Sequence, residues 1–272
     1  MYGFIHVYKS AGTTLNRMLR ASYGSKHADV EPLAGVKQPA PFSEVDLDFV
    51  KSVYPKLAGF AGHRVKGHAD FGKYSDQINL FTIVRDPIKR AASAYQYSYH
   101  YQKEQYGREL SFEEWLEDPY SSNLHCTMLC GQQSFEAAAE MIEKKSIFVG
   151  LADHYYESLV MLQRSRIPDL QVVKASYNVA NDKSISGAVL GDSDLLRKIE
   201  ATNREDSKLY EYLQTSLYPK YVEEWGGSLE QAVASLPSHQ SVSHKANILV
   251  NRLYRNVVYK TALKRVRRRL SH

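Results

Sequence analysis

The sequence has 272 residues, of which 43% are hydrophobic and 11% aromatic, so the chain can bury a full core and fits one large α/β domain or two small ones. The net charge of +5 comes from the C-terminal end, because residues 244–272 hold nine Lys or Arg residues and no Asp or Glu. The rest of the chain has 26 basic against 30 acidic residues, which argues against a body coated with positive charge for nucleic acid.

Features that report on the cellular compartment are few. The sequence holds no uninterrupted apolar run of about 18 residues, and its first residues lead directly into a strand pattern. It contains no Asn-x-Ser/Thr acceptor, and its only cysteines, Cys126 and Cys130, are spaced for one helical face, as buried free thiols. We expect a cytoplasmic protein, peripheral at a membrane surface, with the Golgi lumen as the alternative if an upstream anchor is missing.

Apolar runs predict a series of strands, each followed by charged or glycine-rich residues. Residues 3–8 (GFIHVY) predict a short buried strand. The nearly continuous apolar run at residues 78–84 (INLFTIV) is typical of a parallel strand that is covered on both faces. Further strands are expected at residues 60–65, 147–150 and 170–174.

Helical patterns alternate with these strands. A first helix follows the first strand, and a second begins at Pro87, where the missing N–H costs little. Ser111 and Glu114 fit a capping box for a third, and residues 154–164 and 193–217 predict further helices. Strands that alternate with helices predict an α/β fold, here a P-loop-like parallel sheet flanked by helices, with a basic C-terminal helix.

The first candidate site is the turn between the first strand and the first helix. Free backbone N–H groups and the helix dipole at such a turn bind anions. Gly12 lets the backbone approach a phosphate, and Lys9 supplies a mobile charge. The turn lacks the Gly-Lys-Ser/Thr ending of an NTPase P-loop, and a structural turn without a ligand is the alternative. Its residues are Lys9, Ser10, Ala11, Gly12, Thr13 and Thr14.

The second candidate site follows the most apolar strand, at the edge where open α/β sheets bind ligands. Arg85 at the strand end and Ser93 two turns into the helix would hold one phosphate through a guanidinium and a hydroxyl. The alternative is structural: Arg85 and Asp86 cap the helix, and Lys89 and Arg90 form a solvated face.

Together, these stretches give a family resemblance. HVYKSAGTTL, from His6, is similar to the 5′-phosphosulfate loop of sulfotransferases that use 3′-phosphoadenosine-5′-phosphosulfate (PAPS), and VRDPIKRAASAY, from Val84, to their 3′-phosphate motif. The chain resembles most the carbohydrate and uronosyl 2-O-sulfotransferase branch, over most of residues 3–217. It departs from the family at Tyr8, where proline is frequent.

The resemblance implies roles for individual residues. The uronosyl enzymes have a Gly-His pair before the third strand whose histidine is the proposed base, and on that resemblance His68, in the motif GHRVKGH, is the candidate base. Lys9 would neutralise charge as the sulfuryl group transfers, and Asp70 is a carboxylate that would orient His68. Lys174 and Ser176 lie where the family places a segment that closes over the nucleotide.

The predicted function is that of a PAPS-dependent carbohydrate O-sulfotransferase that needs no metal and acts on a polysaccharide, glycan or glycolipid. Two alternatives stay open: a P-loop-type small-molecule or nucleoside kinase, and a non-catalytic module that binds nucleotide or glycan. An aromatic run would line the acceptor cleft or form a buried helix side. The run comprises Tyr95, Tyr97, Tyr99, His100 and Tyr101.

The C-terminal end has a separate character. We expect a catalytic domain at residues 1–235, a linker at 236–243 and a basic amphipathic helix at 244–272. That helix would bind an anionic membrane surface, bind a polyanionic glycan, or pack on the domain with its charges solvated.

Overall fold

The structure, a computed structural model, describes residues 1–35, 40–174 and 182–270. A five-stranded sheet forms its centre in the order β2-β3-β1-β4-β5, and every described strand pair is parallel. This arrangement confirms the predicted α/β fold with a parallel sheet flanked by helices. The strands are β1 (Tyr2–Ile5), β2 (His27–Asp29), β3 (Gly59–Gly62), β4 (Asn79–Val84) and β5 (Phe148–Leu151).

Helices cover the sheet on both faces. Two π-helical segments, Leu213–Leu217 and Tyr254–Tyr259, join α10 to α11 and α13 to α14. In the described part of the chain, no helix combines the length and the apolar character that crossing a bilayer requires. The helices are α1 (Gly12–Tyr23), α2 (Glu44–Val53), α3 (Pro87–Tyr106), α4 (Phe112–Leu116), α5 (Leu124–Cys130), α6 (Phe135–Lys144), α7 (Tyr155–Ser165), α8 (Ser184–Gly191), α9 (Ser193–Thr202), α10 (Arg204–Tyr212), α11 (Tyr218–Trp225), α12 (Leu229–Ala234), α13 (Val242–Leu253) and α14 (Lys260–Leu270).

Burial on both faces explains the continuous apolar character of the strands. Neighbouring residues of a strand point to opposite faces of the sheet. Ile5 of β1 therefore packs in the core with Phe60, whereas Phe4 packs in the core on the opposite face with Leu15 and Phe81. The strand interiors need no polar face, and polar side chains are left for the strand ends, where the candidate sites lie.

The sequence pattern missed β2 because that strand carries polar residues. Its His27 is fully buried, with Nδ1 hydrogen-bonded to the hydroxyl of Tyr2 at 2.8 Å and Nε2 to Oδ1 of Asn16 at 2.9 Å. Asp29 accepts two hydrogen bonds from Arg20. The strand is held by a polar network between β1 and α1, which apolar periodicity cannot reveal.

The strand predicted at residues 170–174 is wrong. Its apolar side chains are buried, but its backbone pairs with groups outside the sheet. The N–H of Gln171 donates to Oγ of Ser22 at 2.8 Å, and the N–H of Lys174 donates to the carbonyl of Pro237 at 2.8 Å. The apolar side chains of this segment therefore pack against helices, but its backbone does not join the β-sheet.

The C-terminal helices lie against the body of the protein. Nδ2 of Asn251 in α13 donates to the carbonyls of Gly24 (2.9 Å) and His27 (2.8 Å). Tyr259 and Leu263 are buried in the same core cluster as Ile5 of β1. The boundaries at 1–235, 236–243 and 244–272 stay a prediction.

Candidate active site

Two loops meet at the carboxyl edge of the sheet. The turn from Lys9 to Thr14 joins β1 to α1, and Arg85 directly follows β4, which pairs with β1. Nη1 of Arg85 donates to the carbonyl oxygen of Lys9 at 3.4 Å. The fold therefore brings together the two stretches that the sequence singled out, although 76 residues separate Lys9 from Arg85.

The first turn has an unusual backbone. Lys9 and Ala11 have φ values of +63° and +58°, in the left-handed region that residues other than glycine seldom adopt. Ala11 is the N-cap of α1, and no side chain caps that helix end. The N–H of Thr14 donates to the carbonyl of Ala11 at 3.2 Å, so the N–H groups of Gly12 and Thr13 are the ones at this helix start that no side chain caps. Such groups at a helix N-terminus bind phosphate or sulfate.

Two cations flank this turn. The ammonium of Lys9 is half-buried and lies 4.8 Å from the centre of the Tyr97 ring. Burial and then the charge of Arg85 lower the pKa of Lys9, and burial also lowers the pKa of Arg85. Within the described residues, neither side chain forms an ion pair with a carboxylate. Asp153 and Asp86 act on Arg85 only at longer range and partly offset the effect of burial on its pKa. Two neighbouring, partly desolvated cations favour an anion between them.

Ser10 of the turn belongs to a buried relay that the sequence did not suggest. Its Oγ lies 3.4 Å from Nε2 of His125, whose Nδ1 lies 3.3 Å from Oδ2 of Asp206. Burial lowers the pKa of His125 to about 4, so the ring is neutral near pH 7. In the tautomer that carries its proton on Nδ1, this N–H lies beside Asp206 and Nε2 accepts from Ser10. No local motif reveals partners that lie 115 and 196 residues after Ser10.

Packing alone requires a residue without a side chain at position 12. A Cβ at this position would lie 2.2 Å from Cδ2 of His6. The His6 ring stacks between Phe4 and His63, with ring centres 5.2 and 4.2 Å away. Because Gly12 has no side chain, the His6 ring can pack against the turn. The sequence pattern did not predict this packing constraint.

The start of α3 combines capping with a buried guanidinium. Asp86 caps the helix, since its carboxylate accepts from the N–H of Lys89 at 2.8 Å. Arg90 is fully buried and donates to the carbonyls of Tyr120 and Ser121. The solvated Lys89/Arg90 face considered as an alternative is therefore wrong for Arg90. Ser93 is half-buried on the same helix.

The motif GHRVKGH contains two Gly-His pairs, and the structure separates them. His63 directly follows β3 and stacks on Tyr8 of the first turn, with ring centres 3.7 Å apart and planes 9° apart. Nδ1 of His63 donates to the carbonyl of His6 at 2.7 Å. The motif alone gave no reason to prefer His63 over His68, since each follows a glycine.

His68 lies elsewhere, against the C-terminal end of α5. Its ring contacts Gly131, and its Nδ1 is buried without a hydrogen-bond partner in the described residues. Burial, then Lys66 and Lys145, lower its pKa. Within the described residues no contact joins Asp70 to this ring, and the Asp70 carboxylate accepts from the N–H of Gly72 at 2.8 Å.

The segment expected to close over the nucleotide is described only in part. The ammonium of Lys174 donates to the carbonyl of Ala234 at 3.3 Å, so the end of α12 holds this side chain. No contact joins Lys174 to the first turn within the described residues. Ser176 lies outside the described residues.

A cavity of about 410 Å³ is lined by residues between Tyr97 and Asp118, in and after α3. Tyr97, which contacts the Lys9 ammonium, lines it together with Tyr101 and Trp115. Tyr95 instead donates to the carbonyl of Leu110 and packs edge-on against Phe112. The aromatic run is thus divided between the cavity and the interior.

Comparison with known proteins agrees with the geometry. No cluster of His, Cys, Asp or Glu able to hold a metal ion occurs within residues 1–35, 40–174 and 182–270. The search of curated proteins finds no match to the chain. The profile described as Sulfotransferase family matches residues 3–213, which include the first turn, Arg85 and the Ser10–His125–Asp206 relay. The chain belongs to the sulfotransferase family, whose members transfer a sulfuryl group to an acceptor.

Proposed function

We propose that this sulfotransferase uses PAPS as donor and a hydroxyl of a carbohydrate as acceptor. The observation that carries the proposal is the pair of partly buried cations, Lys9 and Arg85, which form no salt bridge within the described residues and lie beside the start of α1, where no side chain serves as cap. A nucleotide with phosphate groups at both its 5′ and 3′ positions supplies the anions that these groups lack. The family match supports sulfuryl transfer as the reaction.

Each of these residues has a role in the donor site. The N–H groups at Gly12 and Thr13 would hold the 5′-phosphate, with Ser10, Ala11 and Thr14 completing the turn. Arg85 and Ser93 would hold the 3′-phosphate. Lys9 would neutralise the bridging oxygen as the bond from sulfur to that oxygen breaks and the bond from sulfur to the acceptor oxygen forms.

The acceptor hydroxyl must lose its proton during transfer, and a neutral histidine can accept it. The resemblance implied His68, but the geometry favours His63. Its Nδ1–H donates to the His6 carbonyl, which leaves the lone pair on Nε2 available. Burial lowers its pKa, so the ring is unprotonated near neutral pH. Its stacking on Tyr8 keeps it beside the donor turn.

Separate His63→Asn and His68→Asn variants test the base. We expect His63→Asn to lower sulfate transfer from labelled PAPS to a panel of oligosaccharides by roughly 10²–10⁴-fold. We expect His68→Asn to retain transfer. Binding of 3′-phosphoadenosine-5′-phosphate by each variant, measured by calorimetry, controls for damage to the donor site. Loss of transfer in the His68 variant alone would assign the base to His68.

The cavity beside Lys9 supports a sugar as acceptor. The exposed rings of Tyr97 and Tyr101 present flat apolar faces, and Glu117 and Asp118 add carboxylates that accept hydrogen bonds from hydroxyls. These carboxylates also disfavour a strongly anionic acceptor at this position, because like charges repel. A neutral or weakly charged sugar therefore fits best.

Calorimetric titration with 3′-phosphoadenosine-5′-phosphate, beside ATP with magnesium, tests the donor. We expect metal-independent binding of the bisphosphate, weakened roughly 100-fold or more in the Arg85→Ala/Ser93→Ala variant. The matched control is Lys89→Ala, which removes an exposed cation from the same helix. Preference for ATP with magnesium would support the kinase alternative, and binding without any transfer would support the non-catalytic module.

A further inference from the structure

We propose that the C-terminal helices dock on an anionic lipid surface through an outward-facing apolar stripe bordered by basic residues. The stripe consists of Val242, Leu249, Val250, Leu253 and Val257, which are 46% to 84% exposed. Val242, Leu249, Leu253 and Val257 are separated by seven, four and four residues, the spacing that places side chains on one face of a helix.

The opposite face binds the protein body through polar groups. Nδ2 of Asn247 and of Asn251 donate to carbonyls at Ala21 and Gly24, at 2.8 and 2.9 Å. The hydroxyl of Tyr254 donates to the carbonyl of Val53 at 2.6 Å. On α13, two asparagine side chains therefore face the protein body, whereas the residues of the apolar stripe face outward.

The charges of the segment complement an anionic surface. Of its nine Lys and Arg residues, Arg255 pairs with Asp29 at 3.7 Å and Arg267 with Glu31 at 3.3 Å. The other seven are exposed and form no ion pair with any residue that the structure describes. These seven are Lys245, Arg252, Lys260, Lys264, Arg265, Arg268 and Arg269.

The apolar stripe distinguishes lipid from the other occupants. A polyanionic glycan would neutralise the seven cations but would leave the stripe in water. A second copy of the chain, packed symmetrically, would bring these same cations into mutual repulsion. The interface of a bilayer that contains anionic lipid takes both features at once, since apolar side chains enter the acyl boundary while Lys and Arg meet headgroups.

Surface substitutions test the proposal better than deletion, because Tyr259 and Leu263 of this segment are part of the core. The probe is sedimentation with vesicles of phosphatidylcholine, alone or mixed with phosphatidylglycerol. The stripe variant is Leu249→Ser/Leu253→Ser/Val257→Ser. The charge variant is Lys264→Gln/Arg265→Gln/Arg268→Gln/Arg269→Gln. Val45→Ser is the matched control, since Val45 is 68% exposed on α2.

We expect the intact chain to bind only the vesicles that contain anionic lipid, and each of the two variants to lose roughly tenfold or more of this binding. The stripe variant should keep its retention on heparin, and the Val45→Ser control should match the parent. Three results would overturn the proposal: no vesicle binding by the parent chain, vesicle binding that survives in the stripe variant, or an oligomer that dissociates in the stripe variant. Unfolding temperatures confirm that each variant is folded.

Discussion

At the scale of single residues, a column of stacked aromatic rings packs against the turn from Lys9 to Thr14. His6 lies under Gly12, His63 stacks on His6, and Tyr8 stacks on His63. Tyr8 replaces the proline that is frequent in the family, so this chain fixes the turn by ring stacking where others use a rigid φ angle. This column connects the backbone of the turn from Lys9 to Thr14 to His63, the histidine that we propose as the base.

Gly12→Ala should disturb this column. The new Cβ would displace the His6 ring, and overpacking of this kind costs about 1–3 kcal/mol of unfolding free energy. Affinity for 3′-phosphoadenosine-5′-phosphate should fall as well, because the turn moves with the ring. Urea denaturation and calorimetry measure the two effects.

Gly187→Ala is the control, since a Cβ at Gly187 meets nothing within 4 Å inside helix α8. It should leave stability unchanged or raise it by up to about 1 kcal/mol, the usual advantage of alanine in a helix. Equal behaviour of the two variants would contradict the role given to Gly12.

The sequence predicted those site residues whose role follows from local order. Lys9, Gly12 and Arg85 follow strands and precede helices, so their position at the sheet edge was foreseeable. His125 and Asp206 were not, because their role depends on contacts across more than 80 residues. His63 and His68 share one motif, and only the three-dimensional path of the chain separates them.

At the scale of elements, Asp206 links the start of α10 to the start of α5, near the turn from Lys9 to Thr14. This buried carboxylate lies in α10 and accepts from the N–H groups of His125 and Cys126 at the start of α5, each at 2.9 Å. In the other direction, Oδ1 of Asn123, the N-cap of α5, accepts from the N–H groups of Glu205 and Asp206. The two helix ends therefore cap each other.

Asp206→Ala should cost about 3–5 kcal/mol of unfolding free energy, because it leaves buried donors without an acceptor. It should also weaken nucleotide binding, since His125 loses the partner that orients it toward Ser10. Asp194→Ala, which removes only an exposed ion pair with Arg197, should change stability little. Similar losses in both variants, measured by urea denaturation, would refute the capping role of Asp206.

Periodicity predicted four of the five strands and missed the one whose residues are polar. Its error at residues 170–174 has the opposite cause, since Leu170, Val172 and Val173 are buried but the backbone of the segment pairs with groups outside the sheet. The pattern reports burial, and burial alone does not decide whether a segment joins the sheet.

At the scale of the whole molecule, buried neutral histidines make stability depend on pH. Burial lowers the pKa of His6 to about 3 and that of His125 to about 4, from an ordinary value near 6.5. Between the lowered pKa of each folded ring and the ordinary value near 6.5, the unfolded chain therefore binds more protons than the folded protein does. Stability is complete above about pH 6.5 and is lost as pH falls toward 4, with Asp206 and Arg90 acting in opposite directions on His125.

Between about pH 7.5 and 4.5, the free energy of unfolding should fall by about 2 to 3 kcal/mol for each of these histidines. Urea denaturation at intermediate pH values measures the decline. A His125→Asn variant should show a shallower decline than the parent, since one titrating group is gone. A parent protein equally stable at both ends of this pH range would refute the assignment of buried neutral rings.

The attachment of the last helices to the first strands has a consequence for biosynthesis. A chain leaves the ribosome with its N-terminus first, yet the carbonyls of Gly24 and His27 receive their hydrogen bonds from Asn251, more than 220 residues later. This region, at the opposite end of α1 from the turn Lys9–Thr14, is therefore completed only after the segment from Val242 onward has been synthesised. Until then, the nascent protein exposes this unfinished edge to chaperones and proteases, and a message truncated before Val242 would yield a product that never closes it.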